Sequence, residues 1–500
     1  MAPSPVSTNH NGRHSNPPLE KISKDETLRL RDLYIGKNCT VFFKTSGALK
    51  IVRGEGQYMF DENGNAYLDC INNVAHVGHC HPSVVRAGSE QMGLLSTNAR
   101  YLHDNLVLYA ERLTAKFPDP LSVAYFVNSG SEANDLAMRL AKAKTGNKDI
   151  ICLEAAYHGH LQSTVSISPY KFNRIKGYKQ KKHVHVGPLP CEYRGKYQRS
   201  QCGTDADIGR FYADEIGQIV EKIKAEGRAP AAFICESLIS CGGQVVLPDN
   251  YLKRVYAKVR AAGGLCIADE VQTGFGRIGS HFWGFELQDV VPDIVTLGKP
   301  IGNGHPLACV ITTPAVARAF EAQGAEYFNT YGGNPVSMAI ADAVLNVIED
   351  EHLQEHAYDV GGYLIAELRK VQRKRPLIGD VRGAGLFVGV DLVKDPQTKE
   401  PGAEEASYIS LRFKEERCLV STEGQWNNVL KIKPPMVFTR ENVDRICALL
   451  DTFLVELEMG ALTKRNSSYS NSSFDTKVVV PKSATHTEIV RSTSRDARVM

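Results

Sequence analysis

The amino-acid sequence predicts an α/β fold with two parts: a large domain whose mostly parallel β-sheet is covered by helices, and a smaller α+β domain. Short apolar segments rich in β-branched residues alternate with helical segments from about residue 120 to about residue 315. After about residue 346 the order of strands and helices becomes mixed. The chain has 500 residues, which is more than one compact domain usually contains.

The predicted strands of the large domain are short and apolar throughout, as expected for strands that are buried on both faces of a sheet. They span 123–127, 150–153, 231–235, 265–268, 294–297 and 308–311. Apolar residues recur at helical spacing from 216 to 223 and from 252 to 259, and these segments stop at Gly227 and Gly263. Strands that alternate with helices in this way favour parallel pairing.

The smaller domain is predicted from strands at 386–392, 418–421 and 429–432 and from a long helix over about 441–457. We therefore divide the chain into a disordered N-terminal segment (1–27), a segment that packs with the small domain (28–80), the large domain (81–345), the small domain (346–462) and a disordered tail (463–500). The tail is rich in Ser and Thr, a composition typical of disorder.

Composition argues against several classes of function. Apolar residues make up 43% of the chain and charged residues 23%, which is ordinary for a globular protein. The formal charge of +3 is too small to favour nucleic acid or an anionic membrane as a partner. No apolar segment is long enough to cross a bilayer. The first 25 residues do not resemble an arginine-rich targeting sequence.

The first candidate catalytic residue is Lys299, which directly follows the apolar strand predicted at 294–297 and a glycine. Burial of an ammonium group is unfavourable, so a lysine at the end of a buried strand tends to have a lowered pKa. A lysine of this kind is what condensation with an aldehyde cofactor requires. The alternative is a lysine whose charged end extends into solvent.

Asp269 and Glu270 follow the strand predicted at 265–268, at the sheet edge where ligands bind in open α/β folds. A buried aspartate in this place can pair with a protonated pyridine nitrogen, which makes the ring an electron sink. Val271 and Gln272 come next, where one can cover the face of the ring and the other can bond its phenolic oxygen. The alternative role of Asp269 is that of a helix cap or a structural partner.

A phosphate-binding turn is predicted between the strand at 123–127 and the helix that follows it. Gly130 permits a tight turn, Ser129 and Ser131 supply hydroxyl groups, and the first turn of a helix presents unpaired amides to an anion. A plain serine N-cap would give the same pattern. Tyr157, which follows the strand at 150–153, offers an aromatic ring to lie against a planar ligand.

Together these motifs resemble the class-III, or ω-type, aminotransferases, which depend on pyridoxal 5′-phosphate. The likeness extends from about residue 28 to about residue 457 and implies the type I fold of pyridoxal-phosphate enzymes. It is carried by Ser129-Gly-Ser-Glu-Ala, Tyr157-His-Gly, Asp269-Glu-Val-Gln, Gly298-Lys299, Asn329-Thr330-Tyr-Gly-Gly-Asn-Pro335 and, in the small domain, Arg382-Gly-Ala-Gly-Leu386.

The resemblance also implies a role for each matching residue. Lys299 would carry the cofactor and move a proton, and Asp269 would hold the charged ring nitrogen. The other cofactor-binding residues would be Ser129, Gly130, Ser131, Tyr157, Val271, Gln272 and Thr330. In this family the threonine comes from the neighbouring subunit, which implies a homodimer with shared active sites. Relatives are associated with mitochondria, and the cytoplasm is the alternative location.

A narrower likeness is to the alanine–glyoxylate aminotransferase 2-like branch, which includes phospho-lyases for ethanolamine phosphate and 5-phosphohydroxylysine. It is carried by the stretches 70–82, 168–172 and 328–335. Transaminases of this class often have a Gly-Glu-Ala-Gly stretch whose acid masks a substrate-binding arginine, whereas this chain has Ser240-Cys-Gly-Gly. We therefore expect Arg382 to be available to an anion, with Lys171 and Arg194 as further candidates for binding a leaving phosphate.

Two other functions stay open: a transaminase of the alanine–glyoxylate or ω-amino acid type, and a non-catalytic binding protein on the same fold. No metal site is predicted, because His76, His79, Cys80 and His81 have no second pair at ligand spacing. The glycines from 274 to 279 match a dinucleotide-binding pattern, but the residues after them do not open a helix.

Overall fold

The computed structural model describes residues 20–97 and 100–462. Of the segments predicted to be disordered, residues 1–19 and 463–500 lie outside the described residues. The prediction is wrong for residues 24–27, which form the first turn of a helix capped by the side chain of Ser23. The N-terminal part contains α1 (Lys24–Tyr34), β1 (Ile51–Glu55), β2 (Tyr58–Asp61), β3 (Ala66–Asp69), α2 (Pro82–Leu94) and α3 (Asp104–Thr114).

The middle of the chain alternates between strands and helices. Its elements are β4 (Val123–Val127), α4 (Gly130–Thr145), β5 (Asp149–Leu153), α5 (Gln162–Val165), α6 (Pro169–Phe172), β6 (Val184–Gly187), α7 (Asp205–Ala225), β7 (Pro230–Glu236), β8 (Leu238–Ile239), β9 (Val245–Val246), α8 (Tyr251–Ala261), β10 (Leu265–Asp269), β11 (Ile294–Leu297), β12 (Ala308–Thr312), α9 (Pro314–Glu321) and α10 (Pro335–Asp350). Short 3₁₀ helices span Gly284–Gln288 and Lys299–Gly302.

The C-terminal part is mixed. It contains α11 (Leu353–Lys374), β13 (Ile378–Ala384), β14 (Phe387–Asp395), β15 (Glu400–Pro401), α12 (Ala403–Glu415), β16 (Cys418–Leu419), β17 (Ser421–Glu423), β18 (Val429–Ile432) and α13 (Arg440–Glu458).

The central sheet has seven strands in the order β4-β12-β11-β10-β7-β5-β6. The strands from β11 to β6 run parallel to their neighbours, whereas β12 is antiparallel to both β11 and β4. All six predicted strands of this region are present within two residues of their predicted ends, which confirms the α/β fold class. The additional edge strand β6 was missed because it is short and a histidine interrupts its apolar run.

The C-terminal sheet is antiparallel, with the order β13-β14-β18-β17. The strand predicted at 418–421 is divided between two sheets, because β16 pairs in parallel with β3 of the N-terminal part while β17 pairs with β18. The N-terminal and C-terminal parts of the chain are thus joined by backbone hydrogen bonds. The domain boundaries themselves stay predictions.

Helix α4 is held by features that the sequence displays. Ser129 caps its start, and Gly146 ends it with a φ of 70°, a conformation that favours glycine. Leu136 and Leu140 lie one turn apart and are 1% and 0% exposed. Each such burial contributes about 1.5–3 kcal/mol, so Leu140→Ala would cost about 2–5 kcal/mol. This packing fixes the first turn of the helix against the sheet edge.

Among the described residues, none of the helices has both the length and the hydrophobicity that crossing a membrane requires. In the same residues, no cluster of three or more His, Cys, Asp or Glu side chains has a metal-binding arrangement.

Candidate active site

A cavity of about 280 Å³ lies at the carboxyl ends of the parallel strands. It is formed where β4, β5, β10 and β11 each pass into a turn or a helix. Eight of the residues predicted for cofactor binding line it together: Ser129, Gly130, Ser131, Tyr157, Asp269, Val271, Gln272 and Lys299. Sequence position separates these residues widely, and the parallel sheet brings them to one edge.

Lys299 occupies the first position after β11 and Gly298. Its φ is 33°, a left-handed conformation that costs free energy for a residue with a side chain and is typical of functional sites. Burial lowers the pKa of the Lys299 ammonium, and the negative charge of Asp269 opposes this shift. A lowered pKa increases the fraction of neutral, nucleophilic amine.

Asp269 ends β10 between Glu236 of β7 and Thr296 of β11, and it is 4% exposed. One of its oxygens, Oδ2, accepts a hydrogen bond from Asn134 Nδ2 at 2.8 Å and makes a second, also 2.8 Å long, with Nδ1 of His158. The amide of Val271 donates to Oδ1 at 3.1 Å. Neither lysine nor arginine pairs with this buried carboxylate, in the part of the chain that the structure describes.

Asn134 and His158 were missed as site residues, although each lies near a predicted one. Asn134 accepts a hydrogen bond from Thr296 Oγ1 at 2.8 Å, which turns its NH₂ group towards Asp269. His158 directly follows Tyr157 in the Tyr157-His-Gly motif, so the sequence placed it close to a predicted site residue. The sequence did not reveal that His158 contacts Asp269, because the two residues are 111 positions apart.

Glu270, the second acid after the strand, points into the protein core. Its carboxylate accepts hydrogen bonds from Ser237, Thr273 and the amides of Gly284 and Phe285. It is fully buried, and burial raises its pKa. Glu270 therefore stabilises the loop behind the cavity, while Asp269 faces it.

The predicted phosphate-binding turn has the expected local geometry. Ser129 Oγ accepts from the amide of Glu132 at 3.2 Å, whereas the amides of Gly130 and Ser131 donate to no atom of the described residues. A Cβ on Gly130 would lie 3.0 Å from a methyl of Val271, which is closer than most such contacts. Two unpaired amides at a helix start that also lacks a blocking side chain can hold an anion.

Tyr157 is half-buried in the cavity wall, and burial raises the pKa of its hydroxyl. Its backbone amide donates to Glu236 Oε1 at 3.1 Å. Glu236, another cavity residue that the sequence did not reveal, is 3% exposed. Burial raises the pKa of Glu236 from 4.5 to about 7, and Asp269 adds to the shift.

Thr330 does not line the cavity of its own chain but lies exposed in the loop before α10. The preceding residue, Asn329, accepts a hydrogen bond of 2.8 Å from Asn128, which does line the cavity. Thr330 thus lies near the cavity opening without reaching into it.

Arg382 and Arg194 lie outside the cavity wall and converge on Asp391, which is 1% exposed. Arg194 donates to it through Nε and Nη2, the latter at 2.7 Å, and Arg382 Nη2 donates at 3.1 Å. Arg382 also binds Asp380 at 2.7 Å and the carbonyl of Gly243 at 2.9 Å. The expectation that Arg382 is available to an anion is therefore wrong.

The reason for this correction lies in β-sheet geometry. Asp380 and Arg382 are two residues apart on β13, so they share one face of the strand. Asp391 lies opposite Asp380 on β14, within reach of the guanidinium of Arg382. The two carboxylates that pair with Arg382, those of Asp380 and Asp391, thus lie on the same pair of strands as Arg382 itself.

Lys171 is the predicted substrate cation that lies next to the cavity. Its Nζ is 5.6 Å from the ring centre of Tyr157 and 5.5 Å from that of Tyr170. No carboxylate among the described residues pairs with it. Arg174, one turn further on, stacks on Tyr170 at 4.0 Å and was missed by the sequence interpretation.

Residues 43–454 match the family profile described as aminotransferase class-III. This match covers most of the chain. The protein belongs to the class-III aminotransferase family. It is therefore an enzyme, and its cofactor is pyridoxal 5′-phosphate, as the sequence motifs predicted.

Individual relatives extend this class-III assignment. The chain is 57% identical over 426 residues to the Drosophila melanogaster protein named alanine–glyoxylate aminotransferase 2-like, covering 85% of this chain and 86% of the relative. It is 44% identical over 443 residues to ethanolamine-phosphate phospho-lyase homolog 1 of Caenorhabditis elegans, covering 86% of this chain and 94% of the relative. A solved Arthrobacter phospholyase in complex with phosphoethanolamine superposes with a TM-score of 0.80 at 35% sequence identity. The superposition covers 86% of this chain and 99% of the Arthrobacter chain.

The class-III cofactor fits the residues present. Its aldehyde needs an amine of lowered pKa, its ring nitrogen needs a carboxylate not already paired with a fixed cation, and its phosphate needs unpaired amides. Lys299, Asp269 and the turn at Gly130 offer these three features around one cavity. The role of each single residue stays a prediction.

Proposed function

We propose that this enzyme is a phospho-lyase that eliminates phosphate from a small phosphorylated amine, ethanolamine phosphate or 5-phosphohydroxylysine. The products are an aldehyde, ammonia and inorganic phosphate. The observation that carries the proposal is which of the three predicted cations are already paired. Arg382 and Arg194 are paired with Asp391, whereas Lys171 lies beside the cavity without a carboxylate partner in the described chain. The names of the worm relative and the Arthrobacter structure agree with it.

Within this proposal, Lys299 holds the cofactor and Asp269 keeps a proton on its ring nitrogen. When bound, the cofactor supplies an electron sink beside the substrate amine. The Lys299 amine removes a proton from the carbon that bears the amino group, since its lowered pKa favours the neutral form. Asn134 and His158 keep the carboxylate of Asp269 oriented towards the cavity.

The leaving group determines what the cavity rim must provide. Elimination breaks the bond between carbon and the phosphate oxygen, and the phosphate departs with the electron pair. A dianion leaves more readily when cations lie near it. Lys171 provides a positive charge beside the cavity residue Tyr157, and Arg174 adds a second charge over the ring of Tyr170. The unsaturated amine that remains takes up water and yields the aldehyde and ammonia.

A transaminase remains the second candidate, because the Drosophila relative is named for that activity. Such an enzyme must bind the carboxylates of an amino acid and a keto acid in turn. Arg382, the arginine expected for this purpose, already donates to two protein carboxylates, those of Asp380 and Asp391. The lyase therefore agrees better with the arrangement of charge.

The two functions separate in one assay. Purified cofactor-loaded protein is incubated with ethanolamine phosphate or phosphohydroxylysine, and released phosphate is measured alongside amino transfer to pyruvate or glyoxylate. Stoichiometric phosphate, aldehyde and ammonia are expected. Amino transfer to the keto acid without phosphate release would exclude the lyase and establish the transaminase.

We further propose that the enzyme is a homodimer whose active sites lie near the subunit interface. Exposed apolar side chains of α2, α3 and the loop before α10 support it: Val85, Met92, Leu94, Val107, Leu108, Phe328 and Tyr331. These elements adjoin, since Gln91 of α2 accepts a hydrogen bond from Asn105 of α3, and Arg100 stacks on Phe328. Large apolar side chains exposed together on adjoining elements are typical of an interface.

Thr330 lies in the same loop, next to Asn329 and the cavity residue Asn128. A second copy seated on this surface would bring its own Thr330 close to the cavity. Sedimentation of the wild type and of Leu108→Asp tests the dimer: the wild type should sediment as a dimer and the variant should dissociate. A monomeric wild type that retains full activity would contradict the proposal.

For location we propose the mitochondrion, supported by relatives from Arabidopsis thaliana and Homo sapiens whose names include that compartment. Fusing residues 1–27 to a fluorescent protein tests this, and a diffuse cytoplasmic signal would favour the alternative.

A further inference from the structure

A second lysine, Lys433, is buried behind the active-site cavity. It follows β18 and is 2% exposed, and it is not part of the cavity wall. Its Nζ donates to Gln272 Oε1 at 2.7 Å and to Ser240 Oγ at 2.6 Å. Burying a lysine without a carboxylate in hydrogen-bonding contact is costly, so this residue requires an explanation.

The contact with Lys433 fixes the orientation of the Gln272 side-chain amide. An ammonium group can only donate hydrogen bonds, so the amide atom that faces it must be the oxygen. Asn73 Nδ2 donates to the same oxygen at 3.2 Å, which adds a second constraint. The NH₂ group of Gln272 consequently points away from both donors, and it donates to no atom of the described residues.

Gln272 itself lines the cavity beside Lys299 and Asp269. An oriented but unused N–H donor in a ligand cavity is available to an acceptor on the ligand. Among the cofactor's groups, the phenolic oxygen next to the aldehyde is such an acceptor. A donor whose own carbonyl is polarised by a buried lysine makes a stronger hydrogen bond than an isolated amide.

We propose that Lys433 is a positioning residue that orients Gln272 so that its amide donates to the phenolic oxygen of the bound cofactor. The inference rests on the proposed placement of the cofactor and adds a residue outside the cavity to it. By stabilising the negative phenolic oxygen, this chain of hydrogen bonds lowers the proton affinity of the nitrogen through which Lys299 holds the cofactor.

Other charges surround this pair of lysines. The groups that act on Lys433 are Glu423, Lys431, Cys241 and Lys299, and those that act on Lys299 are Asp269, Cys241, Glu236 and Glu423. Burial lowers the pKa of Lys433 to about 7. A neutral Lys433 amine could also accept a hydrogen bond, so in that state the orientation of Gln272 depends on Asn73, whose Nδ2 donates to Gln272 Oε1 at 3.2 Å.

The test is a double-mutant cycle on cofactor-loaded protein, with the pH midpoint of the cofactor absorbance change as its readout. Lys433→Met preserves volume but removes the donor. It is expected to raise the midpoint by about 0.5–1 pH unit, a three- to tenfold change in proton affinity. In the Gln272→Met background the same substitution should leave the midpoint unchanged, because the amide through which Lys433 acts is absent.

Ser240→Ala removes only the hydrogen bond between Lys433 and Ser240, so it should raise the midpoint by less than Lys433→Met does. If Lys433→Met does not fold, the shift in Ser240→Ala tests the role of Lys433 instead. Lys433→Arg, which keeps a donor, should restore the wild-type midpoint. An unchanged midpoint in Lys433→Met, or an equal shift with and without Gln272, would overturn the inference. If wild-type protein shows no cofactor absorbance that depends on Lys299, the proposed function fails instead.

Discussion

Two buried aspartates, Asp269 in the active-site cavity and Asp391 in the small domain, have almost the same exposure, 4% and 1%. Asp391 is surrounded by two guanidinium groups and the amide of Asn428. Asp269 has an asparagine, a histidine and a backbone amide instead. One carboxylate has its charge fully compensated by the protein, and the other does not.

This difference distinguishes a structural acid from a functional one. A buried carboxylate with two arginines has no remaining need for a positive ligand, so Asp391 joins residues 194 and 382 into one rigid unit. A buried carboxylate without a fixed cation is stabilised by any positive group that enters the cavity. The protonated ring nitrogen of the cofactor is such a group.

The largest effect is expected from Lys299→Ala. Loss of the amine removes both the covalent attachment of the cofactor and the proton transfer, so phosphate release should fall by about 10⁴-fold or more. Activity is measured at saturating cofactor. Lys394→Ala, which changes an exposed lysine paired with Glu400, is the control and should leave activity unchanged. Residual turnover above one hundredth would contradict the assigned role.

Asp391→Asn should destabilise the protein while sparing the chemistry. It removes the charge that Arg194 and Arg382 share, and because Arg382 keeps its ion pair with Asp380, the expected cost is about 3 kcal/mol of unfolding free energy. Urea denaturation followed by circular dichroism measures this loss. Turnover per folded, cofactor-loaded molecule should stay within a few fold of the wild type. A stable but inactive Asp391→Asn protein would show that Asp391 contributes to the active site.

Asp269→Asn should have the opposite effect to Asp391→Asn: it should reduce activity and leave stability nearly unchanged. The amide cannot hold a proton on the ring nitrogen, so phosphate release should fall by about 10²–10³-fold. Folding should change little, because an asparagine can still pair with Asn134 and His158. The same urea titration serves as the check. A large loss of stability with activity preserved would reverse the contrast between the two aspartates.

Lys171→Ala tests where the substrate phosphate binds. Removing the cation at the cavity rim should raise KM for the phosphorylated amine by about tenfold, or about 1.4 kcal/mol, and leave the cofactor absorbance intact. Lys176→Ala changes an exposed lysine nearby in sequence and is the matched control. Equal KM values for both variants would assign phosphate binding to another group.

Glu236→Gln has the smallest effect and concerns pH. Because the pKa of Glu236 is raised from 4.5 to about 7, the folded state keeps a proton in this range that the unfolded state has lost. Stability of the wild type should therefore fall as pH rises from about 4.5 to 7, and that of the variant should fall less. Urea titrations at several pH values measure the difference. Parallel pH profiles would indicate that Glu236 titrates normally.

Much of the cavity was predictable from sequence because its parts are local. A lysine after an apolar strand, an acid at the end of another and a Ser-Gly-Ser turn at a helix start are each encoded within a few neighbouring residues. Asn134 and Glu236 escaped prediction because a helix asparagine and a strand-end glutamate carry no distinctive pattern alone. Arg382 was misjudged because its partners depend on the pairing of β13 with β14.

The sequence by itself determined the alternation of strands and helices, the residues at the strand ends and the family motifs, since these follow from hydrophobic periodicity and short-range chemistry. Tertiary structure decided which charges are compensated. Asp391 meets Arg194 across 197 residues, and Lys433 meets Gln272 across 161. Such pairs arise only when the folded sheets bring distant side chains within about 3 Å, because hydrogen bonds and ion pairs act over short distances.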